Sequence, residues 1–240
     1  MLIPQTLMKL PQKPLLAGLL IASLTFPTLG FAQSSDAHHR EYQAALDVVT
    51  SSEAKLTEAM QQVQSGQVAH YDFLQFELIE LIRHTRALAW PPGSVATNTK
   101  DAIHEEAIAL RNSAEALEWV VTDFLRAFAQ VRSAASNTLD IAEQALPDAT
   151  DSTKADWQAL QVETLKFMAS AYQQGSEELA QAFDRVLAND LSEQTTRELS
   201  FQKERLAIYP DQLQGFIDKL VDSDVDVRAA KLKAMYEAAI

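Results

Sequence analysis

Five residues able to ligate a metal ion recur at helical spacing in the first half of the chain. They are Glu53, Glu77, Glu80, His84 and His104. Carboxylate oxygens and imidazole nitrogens bind zinc, copper and iron, and helical bundles hold such ions between facing helices. The pattern therefore raises the hypothesis of a divalent metal site built from three helices.

The segment around Glu77, Glu80 and His84 is otherwise strongly apolar. As a helix over residues 68–89, it places these three residues and His70 in one stripe, because steps of three and four residues return to the same face. Leucines fill a second stripe, and the remaining surface holds further large apolar residues, namely Phe76, Ile79 and Ile82. A helix that is apolar most of the way round is usually covered on more than one side. Carboxylates on such a helix need a partner.

Three antiparallel helices joined by short turns would bring these residues to similar heights. At a rise of ~1.5 Å per residue, Glu53 and Glu80 come level, and His84 and His104 lie about 6 Å lower. The same reasoning places Arg111 beside Glu80. A buried ion-pair layer with Arg111 is therefore the alternative to a metal site, and it is the simpler one, because isolated Glu and His spacing is a weak motif.

The elements that must position these residues are helices throughout. No segment alternates with period two, whereas apolar residues repeat in steps of three and four. We predict an all-α fold with four long antiparallel helices in a bundle and a short helical C-terminal addition. The predicted long helices span 36–64, 68–89, 100–146 and 153–188. The addition spans 192–208, 211–221 and 224–238, with Pro210 ending its first helix.

The N-terminus has the pattern of a secretory signal peptide. Lys9 and Lys13 precede an apolar run that ends in small residues before position 33. We predict a signal peptide over 1–32, a single mature domain over 33–240 and a periplasmic location. The run is too short and interrupted for a membrane anchor. The chain contains no cysteine, so the mature domain is expected to be stable through its core alone.

Charge and missing motifs narrow the function. The net charge is −13, and loss of the two lysines in 1–32 takes it to −15, which disfavours nucleic acid and anionic lipid as partners. No phosphate-binding loop, nucleophile elbow or His-Glu-x-x-His motif occurs. We expect a non-enzymatic protein without a cofactor that binds a small molecule or an envelope protein, with divalent metal binding as the alternative. Aromatic residues that could line a groove are Trp90, Trp119, Trp157, Tyr172 and Tyr209.

Overall fold

The structure is a computed structural model that describes residues 29–66, 71–172 and 177–240, with the backbone alone for 29–35. All regular structure in these ranges is helical, which confirms the all-α bundle. The α-helices are α1 (Leu29–Thr50), α2 (Ser52–Gln64), α3 (Asp72–Ala87), α4 (Thr97–Ala145), α5 (Asp151–Ala169), α6 (Glu177–Leu187), α7 (Glu193–Val221) and α8 (Val225–Glu237). None of the helices described is long and apolar enough to cross a bilayer. The predicted signal peptide lies largely outside the described residues.

The 49-residue helix α4 is the centre of the bundle and contacts α3, α5, α7 and α8. Its buried residues repeat in steps of three and four from Ile103 to Ala142, close to the predicted span. This spacing keeps one stripe of the helix pointed at the core over its whole length. A single uninterrupted seam therefore explains why α4 does not break.

Helix α3 runs antiparallel to α4. At one end, the ring of Tyr71 lies edge-on to Phe128 with 5.8 Å between centroids. At the other end, Arg86 Nη2 donates a hydrogen bond to Glu115 Oε1 at 3.2 Å. Between these contacts α3 buries Leu74, Leu78, Leu81 and Thr85, so its leucine stripe faces the core.

The predicted first helix is two helices, because the chain breaks at Ser51. Three consecutive hydroxyl side chains bond back to carbonyls of the preceding turn. Thr50 Oγ1 donates to Leu46 at 2.7 Å, and Ser51 Oγ and Ser52 Oγ both donate to Val48, at 3.0 and 2.8 Å. Such bonds compete with the backbone ladder and bend helices.

The predicted fourth helix also divides, after Ala169. Ala171 and Tyr172 have φ of +61° and +58°, a left-handed conformation that side chains disfavour. The Tyr172 ring lies edge-on to both Phe128 and Phe167, and this buried packing offsets the backbone cost.

The prediction that Pro210 ends a helix is wrong. Helix α7 is 29 residues long in total and continues through Pro210, whose side chain is buried. Leu206, Leu213 and Ile217 are buried on the same helix, and the most extensive helix–helix contact in the bundle joins α7 to α4. Core packing therefore outweighs the lost backbone hydrogen bond. The C-terminal region therefore contributes a long helix to the bundle itself, and is more than a short addition to it.

Candidate functional site

The residues of the predicted metal site are distributed over three places. Glu53 lies in the first turn of α2 and faces the junction of α7 and α8. Its Oε2 accepts hydrogen bonds from Ser223 Oγ at 2.6 Å and from the backbone N–H of Asp226 at 3.3 Å. Glu53 thus supplies an acceptor to the first turn of α8, where backbone N–H groups lack helical partners.

Glu80 and His84 form the second place, on α3. Arg83 Nη2 donates to Glu80 Oε2 at 2.6 Å, and His84 Nε2 lies 3.4 Å from the same oxygen. Glu77 lies one turn earlier and is partly buried. The Glu80 carboxylate is therefore satisfied within its own helix.

His104 is the third place. Its Nδ1 lies 2.5 Å from the carbonyl oxygen of Ala89, which fits an N–H donor to that carbonyl. Its ring also lies against Trp90, with 5.3 Å between centroids. His104 therefore holds the end of the α3 segment against α4. His70 lies outside the described residues.

These placements bear on both interpretations of the polar residues. Within the ranges 29–66, 71–172 and 177–240, no three His, Cys, Asp or Glu side chains are grouped so that they could hold a metal ion. Divalent metal binding stays a prediction. The ion-pair interpretation named the wrong acid, because Arg111 Nε bonds Glu115 Oε1 at 3.0 Å, the oxygen that Arg86 also reaches.

The Glu115 cluster is exposed to solvent. Desolvation acts to raise the pKa of Glu115, but hydrogen bonds from Arg86 and Arg111 outweigh it and lower the pKa. Arg86 and Arg111 are 62% and 42% exposed, so this network contributes little to stability. Its geometric role is to fix how α3 and α4 lie against each other.

Sequence reasoning passed over a more deeply buried acid, Glu106. It is 7% exposed and faces α8, where Arg228 Nη1 donates to it at 3.1 Å and Lys231 Nζ makes a second bond. The signal was present, because Glu106 lies three residues after Ile103 and four before Leu110, both in the core seam. Glu106 of α4 therefore forms structural ion pairs with Arg228 and Lys231 of α8.

The outward face of α3 is apolar, although folding of the domain does not require apolar residues there. Phe73, Phe76 and Ile79 are 45%, 57% and 60% exposed, although they are large and apolar. The sequence predicted a helix covered on more than one side. In the described part of the chain, however, these three side chains stay about half exposed to solvent. Exposed apolar side chains of this size are candidates for contact with another molecule.

Trp119 is a further exposed apolar side chain, on α4. It follows Glu115, which Arg86 of α3 contacts, by one turn, so it lies about 6 Å further along the helix. Helix α3 is antiparallel to α4. Moving one turn from Glu115 towards Trp119 on α4 therefore corresponds to moving one turn from Arg86 back towards Ile82 and Ile79 on α3. Trp119 is 73% exposed. We call Phe73, Phe76, Ile79 and Trp119 the apolar α3 face.

The candidate groove aromatics divide into three groups. Trp157 and Tyr172 are buried in the core, Tyr209 is partly buried against it, and Trp90 and Trp119 are exposed. An apolar cavity between α6 and α7, lined by Leu179, Phe183 and Leu206 among others, has a volume of about 240 Å³. A depression of about 380 Å³ beside α2 is lined mainly by glutamines. Small-molecule sites usually hold 300–1,000 Å³ and are largely apolar, so neither has the character of one.

The chain matches no protein-family model and no curated protein sequence.

Proposed function

We propose that this chain is an exported, non-enzymatic helical-bundle protein of the periplasm that binds a protein partner through the apolar α3 face. The single observation that carries the proposal is the exposure of Phe76 and Ile79, at 57% and 60%, on a helix whose opposite face is fully used by the core. The signal-peptide pattern of residues 1–32 supports the location.

The shape and composition of the face favour a protein over a small molecule. Two adjacent helices present a broad surface, whereas small molecules bind in concave cavities. Tryptophan, phenylalanine and arginine are also typical of protein interfaces, where a few such residues supply most of the binding energy. Arg83 and Arg86 lie beyond Ile79 on α3 and are 65% and 62% exposed.

The chemistry of the partner follows from these residues. Its contacting surface should present apolar side chains to Phe76, Ile79 and Trp119. Carboxylates at one edge would pair with Arg83 and Arg86, whose guanidinium groups have donors left beyond those used by Glu80 and Glu115. A nucleic acid is disfavoured by the net charge of −13.

Site-specific photocrosslinking in the periplasm tests this proposal. A photoreactive phenylalanine analogue replaces Phe76 in one variant and Leu165 in the control. Leu165 is a matched control because it is also exposed, at 53%, and follows Val162 on α5 as Ile79 follows Phe76 on α3. We expect a discrete adduct from position 76 that is absent from position 165.

The adduct must also respond to its surroundings and have a definite mass. Ile79→Ser should abolish crosslinking from position 76, and Val162→Ser should not. Equal adducts from both positions, or none from position 76, would contradict the proposal. An adduct of two copies of this chain would show self-association in place of binding to a different protein.

A further inference from the structure

Helix α7 carries a second surface whose composition differs from the rest of the molecule. Its exposed side holds Phe201, Arg205, Ile208 and Lys219, and the partly buried Tyr209 and Phe216 lie between these residues and the core; we call the six residues the α7 stripe. Phe201, Arg205, Ile208 and Lys219 are separated by steps that combine three and four residues, so they follow one side of the helix. Tyr209 and Phe216 follow Arg205 by four and eleven residues and lie beside this row. Phe201 and Ile208 are 55% and 45% exposed.

The two cations of the stripe are held by aromatic rings. The guanidinium carbon of Arg205 lies 5.1 Å from the ring centroid of Phe201 and 5.8 Å from that of Tyr209. Lys219 Nζ lies 5.3 Å from the centroid of Phe216. Cation–π contacts of this kind stabilise the positions of the cations without neutralising them.

No described carboxylate lies within ion-pair distance of either cation, Arg205 or Lys219, although the chain has 33 acidic residues and a net charge of −13. By contrast, Arg197 on the same helix pairs with Glu193 at 2.7 Å. The acids of this part of α7, Glu204, Asp211 and Asp218, recur every seven residues and follow a line about 100° round the helix from Arg205.

We propose that the α7 stripe binds an amphipathic acidic helix of a partner protein. Arg205 and Lys219 are 14 residues apart on one helix, which is about 21 Å along the axis. A partner helix of about four to five turns with a carboxylate near each end and apolar residues between them matches this arrangement. The apolar residues contact Phe201, Ile208 and Tyr209, and the carboxylates pair with the two cations.

Arg205 is well prepared for this contact. Its planar guanidinium stacks on aromatic rings and can still donate two parallel hydrogen bonds to a carboxylate. Because the two rings already restrict the side chain, binding costs less conformational entropy than it would for a free arginine. The two cations lie at fixed positions about 21 Å apart, which two carboxylates on one helix can match, whereas a continuous anionic lipid surface has no such spacing, so a protein helix is favoured over lipid as the occupant.

The proposal is independent of the apolar α3 face, because it rests on a different helix and different chemistry. Its test uses a fluorescein-labelled synthetic peptide of about 18 residues, designed as an amphipathic helix with two glutamates about 14 positions apart. Fluorescence anisotropy measures binding to the mature protein. A second peptide carries glutamine in place of both glutamates, and vesicles of phosphatidylglycerol provide the lipid comparison.

We expect the wild-type protein to bind the glutamate peptide, more weakly as salt increases. Arg205→Gln should weaken binding at least fivefold, Arg205→Lys should recover part of it, and the control Arg197→Gln should leave it unchanged. Phe76→Ser should also leave it unchanged, which separates this surface from the α3 face. Failure of the wild-type protein to bind, equal binding of the glutamine peptide, or preferential binding to the vesicles would each overturn the proposal.

Discussion

Glu53 Oε2 and Ser223 Oγ are joined by a hydrogen bond of 2.6 Å that connects two breaks in the helices, one between α1 and α2 and one between α7 and α8. Asp47 near the end of α1 binds Lys233 of α8 at 2.7 Å, and Tyr236 of α8 contacts His39 and Tyr42 of α1. Helix α8 therefore runs antiparallel to α1. The two chain segments bend at the same height.

The first prediction concerns this junction. Glu53→Ala should destabilise the protein by about 1–3 kcal/mol, because Ser223 and the backbone N–H of Asp226 lose their acceptor. Urea unfolding followed by circular dichroism measures the change. Glu58→Ala is the control, since Glu58 is exposed on the same helix, and it should change the free energy of unfolding by less than about 0.5 kcal/mol.

Asp226 should make stability depend on pH. Burial, and secondarily the charge of Glu53, raise the pKa of Asp226 above its ordinary value of 3.8, and its Oδ1 has no hydrogen-bond partner among the described residues. A raised pKa means that ionisation costs free energy in the folded state, and the cost is complete once the pH exceeds the folded-state pKa.

Asp226→Asn should therefore raise the melting temperature at pH 7. The gain should shrink as the pH falls through the raised pKa, where wild-type Asp226 becomes neutral as well. Thermal melts across this range measure it, with Asp222→Asn as an exposed control from the same junction. A gain that is independent of pH would contradict the explanation.

Glu106 gives a prediction with a control one residue away. Glu106→Gln should cost about 1–3 kcal/mol, because the buried carboxylate accepts from Arg228 and Lys231. Glu105→Gln, at an exposed position, should cost less than about 0.5 kcal/mol. Chemical denaturation of the two variants decides this, and equal losses would refute the assignment of the buried ion pair to Glu106.

The apolar α3 face should be dispensable for folding. Phe76→Ser with Ile79→Ser should change the unfolding free energy little, because both side chains are more than half exposed. Leu78→Ala, on the buried side of the same helix, should cost about 2–5 kcal/mol. Large destabilisation by the double variant would mean that this face is covered in the free protein.

Metal addition tests the alternative function. Since the predicted ligands lie in three places, zinc, copper or iron should leave the melting temperature unchanged, for the wild-type protein and for His84→Ala alike. Calorimetry of residues 33–240 without a histidine tag measures this. A rise with metal that is lost in His84→Ala would support the metal hypothesis.

The sequence predicted those parts of the fold that depend on repeated spacing. The seam of α4 repeats from Ile103 to Ala142, and any helix with that pattern must bury it. The breaks could not be predicted in the same way. The break at Ser51 depends on hydrogen bonds from three hydroxyl groups to backbone carbonyls. The break at Tyr172 depends on packing of its ring against Phe128 of α4 and Phe167 of α5.

The candidate site was predicted only in part. The sequence singled out α3 as unusual, and the structure agrees, but the unusual feature is its apolar outward face and not its Glu and His residues. Height arguments placed Arg111 beside Glu80, whereas Arg111 pairs with Glu115, four residues later on α4 itself. That spacing could have been recognised in the sequence. The contact of Arg86 with the same carboxylate depends on how α3 and α4 are rotated against each other, which spacing along one helix does not contain.

The bends at Ser51 and at Asp222–Asp224 lie at the same height and separate two parts of the bundle that can differ in local stability. Helices α1 and α8 pair with each other on one side of this level, while α2 and α7 pair on the other. A region bounded by two interruptions at one height can open as a cooperative unit without unfolding the remainder. Amide hydrogens of α1 and α8 should therefore exchange together and faster than those of α4, so that this end of the molecule has its own local stability.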